Sequence, residues 1–167
     1  MDRTQDFMEK STKSAKIFAD IKNVLEMYFS GEIYSTEDHE GQFDTILDCK
    51  CGIDALVDTD EAVFGIAHRV KYNNYADFTI RVYNKNGRRT EIDHMRQSGF
   101  KPRYHVQTVC IDGKPTMIAI AKSADLRYAI DTLGIAKIKT TYDGNQFAIL
   151  DWNILISNGI DVDIINL

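Results

Sequence analysis

Proline and cysteine are scarce in this chain, and long apolar runs are missing. Two prolines in 167 residues, Pro102 and Pro115, leave no material for a proline-rich linker. With no internal repeat and no low-complexity tract, residues 1–167 read as one ordinary domain. The three cysteines, Cys49, Cys51 and Cys110, are too few and odd in number for a disulfide framework. Cys49 and Cys51 have one residue between them, which is neither zinc-finger nor thioredoxin spacing. No apolar run approaches the roughly 20 residues of a membrane helix. Met1 to Lys16 is polar and charged, unlike a signal peptide, so the expectation is a cytoplasmic protein without membrane contact. Glycine-rich phosphate loops, HExxH, GxSxG and kinase signatures are all missing, which ranks a small-molecule enzyme last.

What is present is an ordinary globular composition, 44% hydrophobic and 27% charged, with the charge unevenly placed. Residues 1–68 carry 6 basic and 15 acidic side chains, whereas residues 69–103 carry 9 basic and 3 acidic. An acidic protein with one basic stretch can bind a polyanion locally, while a uniformly basic coat is excluded.

Periodicity sets the elements. Ile17, Phe18, Ile21, Val24, Leu25 and Tyr28 form one stripe of a helix ending near Phe29, with Gly31 as its left-handed cap. Glu32 to Gly41 reads as an acidic loop. Strands are expected over 53–58, 62–72 and 77–83. Asn84 to Gly87 predicts a hairpin turn that returns through Thr90 to Ile92. Residues 104–111 and 115–121 form a second hairpin about Asp112-Gly113. A helix N-capped by Ser123 follows, closed by Gly134. A third hairpin about Asp143-Gly144, a short helix from Trp152 and a last strand over 161–165 complete the chain. Strands before and after a helix predict an α+β fold with a mixed central sheet flanked by helices.

The chemistry-bearing stretch is Cys51 to Arg81. Asp54 lies in a strand of apolar neighbours, where an acid is costly unless it is paired or bound to a metal. In the next strand alternation puts Ala67, Arg69 and Lys71 on one face and Phe64, Ile66, His68 and Val70 on the other. His68 is expected to pack as a core histidine. Thr79 and Arg81 share a face of the third strand. Asp54 is either half of an ion pair with Arg69 or Arg81, or a metal ligand. Further on, Arg88, Arg89, Arg96, Lys101 and Arg103 interleave with Phe100 and Tyr104, a pattern suited to phosphates and stacked bases.

A helix, a strand carrying Gly52-Ile53-Asp54 and a neighbouring strand carrying Arg69 together resemble the restriction-endonuclease-like PD-(D/E)XK superfamily. The order of elements over roughly residues 15–135 carries the likeness. In that family one strand supplies an Asp and the next a carboxylate-X-Lys motif. The carboxylates hold a divalent metal and the lysine serves the attacking water. The resemblance implies Asp54 as first carboxylate, Arg69 where the lysine belongs and Glu26 as an auxiliary acid. Ala67 stands where the second carboxylate should be, so another acid must substitute (Asp44, Asp48, Asp58 or Glu91) or the fold has lost catalysis. Gly52-Ile53-Asp54, Arg69-Val70 and Phe78-Thr79-Ile80-Arg81 also resemble phage and mobile-element proteins.

The resulting expectation is a nucleic-acid-acting domain similar to metal-dependent nucleases, with a site that is either active or degenerate. Asp54, Arg69 and Lys71 would be catalytic. Asp54, Asp48 and Glu91 would hold Mg²⁺ or Mn²⁺. Arg81, Arg88, Arg89, Arg96, Lys101, Arg103 and Tyr104 would bind DNA or RNA. The alternative is a non-catalytic module from a phage or mobile element that binds a host protein, using no cofactor. Ala67 and the acidic N-terminal region favour it. A homodimer is compatible with either.

Overall fold

The computed structural model describes residues 3–36 and 46–167, with side chains from Thr12 onwards in the first helix. The substitute acid considered at Asp44 lies outside the described residues. Helix α1 (Arg3–Phe29) is followed by strands β1 (Gly31–Ser35), β2 (Ala55–Thr59), β3 (Val63–Lys71) and β4 (Asp77–Tyr83). Helix α2 (Glu91–Arg96) precedes β5 (Pro102–Ile111) and β6 (Lys114–Lys122). Helix α3 (Ser123–Tyr128) runs on into a π-helical turn (Ala129–Leu133). Strands β7 (Lys137–Thr140) and β8 (Gln146–Asp151), helix α4 (Trp152–Ser157) and β9 (Asp163–Asn166) end the chain.

The strands form two sheets. Six lie in the order β1-β2-β3-β5-β6-β9, and three in the order β4-β8-β7. In the larger sheet all neighbours are antiparallel except β3 and β5. Parallel neighbours need a crossover. Here the crossover contains β4 and α2, and it lays both over one face of the large sheet. The fold is therefore mixed α+β with a mixed central sheet. Among the described residues no helix is long and apolar enough to cross a membrane.

Two apolar cores follow from the alternation. On one face the α1 stripe (Phe18, Ile21, Leu25) packs on Ile33, Ala55, Val57, Ile66, Val106 and Ile118. On the other, Val109, Ala119 and Ala121 meet Phe78, Ile80, Ala148 and Leu150 of the small sheet, together with Trp152 and the apolar sides of α2 and α3. Each fully buried aliphatic side chain contributes about 1.5–3 kcal/mol of transfer free energy, an upper estimate for folding.

Several local expectations are corrected. Ser30, not Gly31, takes the left-handed conformation after α1, with φ 53°, and frees Gly31 to begin β1. The acidic loop is thus a strand over its first residues, because Ile33 is buried against α1. The Asn84-Gly87 turn forms, with Gly87 N donating to Asn84 O at 3.0 Å. It is not followed by a return strand. Thr90 and Asp93 make a reciprocal capping box, so the chain enters α2 instead. β4 then pairs with β8, Phe78 facing Leu150. Lys122 rather than Ser123 is the N-cap of α3, since the Ser123 hydroxyl is committed to His105. The Asp112-Gly113 hairpin is as expected, both residues having positive φ (51° and 76°).

Gly52 closes a π-helical turn (Leu47–Cys51) with φ 67°, and a Cβ there would lie 2.8 Å from His94 Cδ2. Gly52→Ala is therefore expected to destabilise by about 2 kcal/mol or more, from backbone strain plus the clash. Gly87 has φ 69°, and a Cβ there would meet nothing within 4 Å, so Gly87→Ala should cost only about 1 kcal/mol. Urea denaturation measures both, and equal losses would mean that the His94 contact adds nothing.

Candidate functional site

The crossover that passes through β4 and α2 brings Glu91 over the middle of β3. Thr90 caps the helix, and Glu91 is its first residue. One Glu91 oxygen accepts from Arg69 Nε and the other from the backbone N–H of Arg81 at 2.5 Å. Arg69 projects from β3 on the face turned away from α1, with Ala67 and Lys71 beside it, as alternation requires. The Arg69 and Glu91 side chains are 33% and 19% exposed.

Asp54 immediately precedes β2. Its N–H donates to Ile66 O at 2.9 Å, its carbonyl accepts from Thr36 N at 3.0 Å, and Oδ2 accepts from the His68 N–H at 2.7 Å. The acid is fixed by backbone on both sides. Burial lowers the Arg69 guanidinium, but Glu91 and then Asp54 outweigh it, so the group is raised and stays charged. Burial would raise the Glu91 carboxyl, yet the Arg69 charge and hydrogen bond hold it below the usual range. Asp54 and Glu91 thus both act on one guanidinium.

Those contacts bear on metal binding. Both Glu91 oxygens have donors, Asp54 Oδ2 accepts from the His68 N–H, and Arg69 already supplies positive charge to both carboxylates. Ala67 adds no oxygen. Among the described residues no three His, Cys, Asp or Glu side chains lie close enough together to hold a metal ion. Asp48 is on the π-helical turn, where burial raises its carboxyl and His94 lowers it. Asp48, Asp54 and Glu91 therefore do not converge, and this donor set does not fit Mg²⁺ or Mn²⁺. Glu26 is engaged on the opposite side of the sheet, accepting from Ile33 N at 3.1 Å and paired with Lys22 at 3.2 Å. Asp58 is exposed on β2. Lys71 is salt-bridged to Asp77 and lies 5.7 Å from the Tyr75 ring.

His105 sits directly across from Ala67 on β5 and is 4% exposed. Its Nδ1 is 2.9 Å from Ser123 Oγ, while Nε2 is buried without a hydrogen-bond partner. Burial lowers its pKa to about 4. His68 points to α1 with its ring 5.0 Å from Phe18 and Nε2 2.9 Å from Thr108 Oγ1.

The cations expected to hold nucleic acid are dispersed over several places. Arg89 Nη1 donates to Gln97 Oε1 at 2.9 Å, Lys101 Nζ to Gln97 O at 2.9 Å, and Gln97 Nε2 to Phe100 O at 3.1 Å. Gln97 thereby gathers two cations and the 48% exposed Phe100 into one cluster, with exposed Arg88 just before it. Arg96 is set apart by its pair with Asp131 at 2.5 Å. Arg103 lies over Phe64 and Tyr104, beside grooves of about 610 and 480 Å³ that meet at Tyr28 and Tyr104. Arg81 is on the small sheet, 5.3 Å over Phe147. Gln97 and His105 are not discernible as site residues from sequence. The alternation that faces Ala67 and Arg69 inwards applies to His105 too, but its register with Ala67 needs the parallel pairing.

No protein-family model, curated protein or solved structure matches the chain.

Two measurements probe this interior. Glu91→Gln should destabilise by roughly 1–3 kcal/mol in urea at pH 7, discounted for partial exposure. Because the folded carboxyl is lowered, the Glu91 contribution is present above the unfolded value of about 4.3 and disappears as pH falls through the folded one. His105 is also depressed when folded, so its contribution is full above about 6.5 and is lost as pH falls towards about 4. His68, lowered to about 3, acts in the same window, so stability should drop by on the order of 2–3 kcal/mol for each of the two histidines. His105→Asn should roughly halve the slope there and leave the His68 share, and an unchanged slope would place the effect elsewhere.

Proposed function

We propose that this chain is a nucleic-acid-binding domain of restriction-endonuclease-like architecture that binds without metal-dependent cleavage. The observation carrying this reading is the position of Arg69. Asp54, immediately before β2, hydrogen-bonds the backbone of the adjacent antiparallel β3, which carries Arg69, and this neighbourhood supports reading the two as the carboxylate and the lysine substitute that the resemblance implies. Glu91, the acid that reaches them from outside the two strands, is spent on Arg69 and on the β4 backbone. The arrangement supports recognition: a rigid ion-paired centre and, beyond it, the Arg88, Arg89 and Lys101 cations around Phe100. Cations of this kind engage phosphates without regard to sequence, and an exposed ring accepts a base.

A second reading, a non-catalytic module that binds a host protein, is favoured by the grooves at Tyr28 and Tyr104. Asp60 and Glu61 line one of them, and Asp161 and Asp163 the other. Such rims suit a basic polypeptide.

Labelled single- and double-stranded DNA and RNA, incubated with Mg²⁺, Mn²⁺ or EDTA and scored for cleavage and mobility shift, separate the readings. A shift insensitive to EDTA, weakened by salt and by Arg88→Glu, is expected, with no cleavage in any metal. Metal-dependent cleavage that disappears in Asp54→Asn would overturn the non-catalytic assignment. No shift on any nucleic acid would overturn binding and move the weight to the protein partner.

A further inference from the structure

The outer face of the small sheet has a composition that the ion-paired centre does not explain. Cross-strand register places Arg81 of β4, Phe147 of β8 and Lys139 of β7 in one row, and Thr79, Ile149 and Lys137 in the next. The opposite side of the same strands, with Phe78, Ile80, Ala148 and Leu150, is the face buried in the core. Arg81 lies 5.3 Å over the Phe147 ring, so the two share a side of the sheet. Phe147 and Ile149 are half-buried, and Lys137 and Lys139 are exposed. Neither lysine is in an ion pair among the described residues.

The acids at and near this face each have partners of their own. Asp77 is salt-bridged to Lys71. Asp151 caps α4, accepting from Asn153 N at 2.8 Å and Ile154 N at 3.1 Å. Asp143 accepts from Thr141 Oγ1 and from Asn145 Nδ2, the latter at 2.7 Å. The face thus carries Arg81, Lys137 and Lys139 on its two outer strands with an aromatic ring between them, while Asp77, offset by Lys71, and Asp151 occupy its next row. Lys137 and Lys139 are about 7 Å apart along β7.

We propose that single-stranded nucleic acid lies across this face, with its phosphates on Arg81, Lys137 and Lys139 and a base against Phe147. The inference rests on the nucleic-acid reading above and names the substrate class. Stacking on a ring that projects from a sheet needs an unstacked base, which a duplex does not offer. DNA and RNA strands share this chemistry, because the contacts named go to phosphate and base faces and none to the 2′-hydroxyl.

Fluorescence anisotropy with labelled 20-mers of oligo(dT) and oligo(U), and with a duplex of equal length, tests it over a salt series. Wild type should bind both single strands at least about tenfold more tightly than the duplex. Lys137→Glu with Lys139→Glu, both exposed, should weaken single-strand binding at least about tenfold and cut the slope of log affinity against log salt by about 1.4. Phe147→Leu, which keeps the half-buried position apolar, should cost about tenfold with the salt slope unchanged. Wild-type affinity in both variants would overturn the sheet-face site while leaving nucleic-acid binding itself standing. A duplex bound as tightly as the single strands would overturn base stacking. A wild-type protein that binds none of the probes would overturn the nucleic-acid reading, and this inference with it.

Discussion

The Glu91 carboxylate accepts from a side chain of the large sheet and from the backbone of the small one, and so ties together two sheets that have no strand in common. The tie works because the crossover between β3 and β5 has to pass over this face, and α2 is short enough to present its first residue there. The Arg81 N–H belongs to the edge of β4 that does not pair with β8, where an unsatisfied donor would otherwise remain. Glu91 satisfies that donor and neutralises Arg69 at the same time. Removing the acid leaves both a cation and an amide without this partner, and that asymmetry gives a half-buried pair its weight.

Around that point the interior separates charge from apolar surface. Phe78, Ile80 and Trp152 form one core and the α1 stripe another, with the large sheet between them. The polar residues Arg69 and Lys71 lie on the side of β3 that faces the crossover, and Asp54 accepts from the backbone of that strand at His68. Two interior histidines, His68 and His105, are held neutral by desolvation, which lowers them to about 3 and about 4 respectively. The Arg69 and Glu91 charges are held by partners with fixed backbone positions, which favours one register of the crossover over its neighbours.

The helix stripe, the strand at 77–83 and the Asp112-Gly113 hairpin were readable from residue periodicity and turn chemistry, because each depends on neighbours a few positions away. The faces of β3 were readable for the same reason: alternation alone separates His68 from Arg69. What could not be read was long-range. Thr90 to Ile92 has the composition of a short strand, yet the Thr90–Asp93 capping box won, and β4 found its partner in β8. Ser123 looks like a cap until His105 is brought against it. Asp54 and Arg69 were legible as candidates because they are on adjacent strands. The convergence of Glu91 on Arg69 depends on a crossover that no local pattern encodes, and Asp48 has the right chemistry in the wrong place.

The pairing of β4 with β8 also bears on how the chain assembles. Phe78 meets Leu150 about seventy residues later, so the small sheet cannot begin until nearly the whole chain is available. Helix α1, the β1-β2-β3 meander and the β5-β6 hairpin involve mostly closer partners and can form first. Until then β4, apolar on the side of Phe78 and Ile80, lacks the strand that covers one of its edges. A strand in that state can recruit another copy of itself. Its charges, Asp77 at one end and Arg81 within it, are the features that disfavour such self-pairing until β8 arrives.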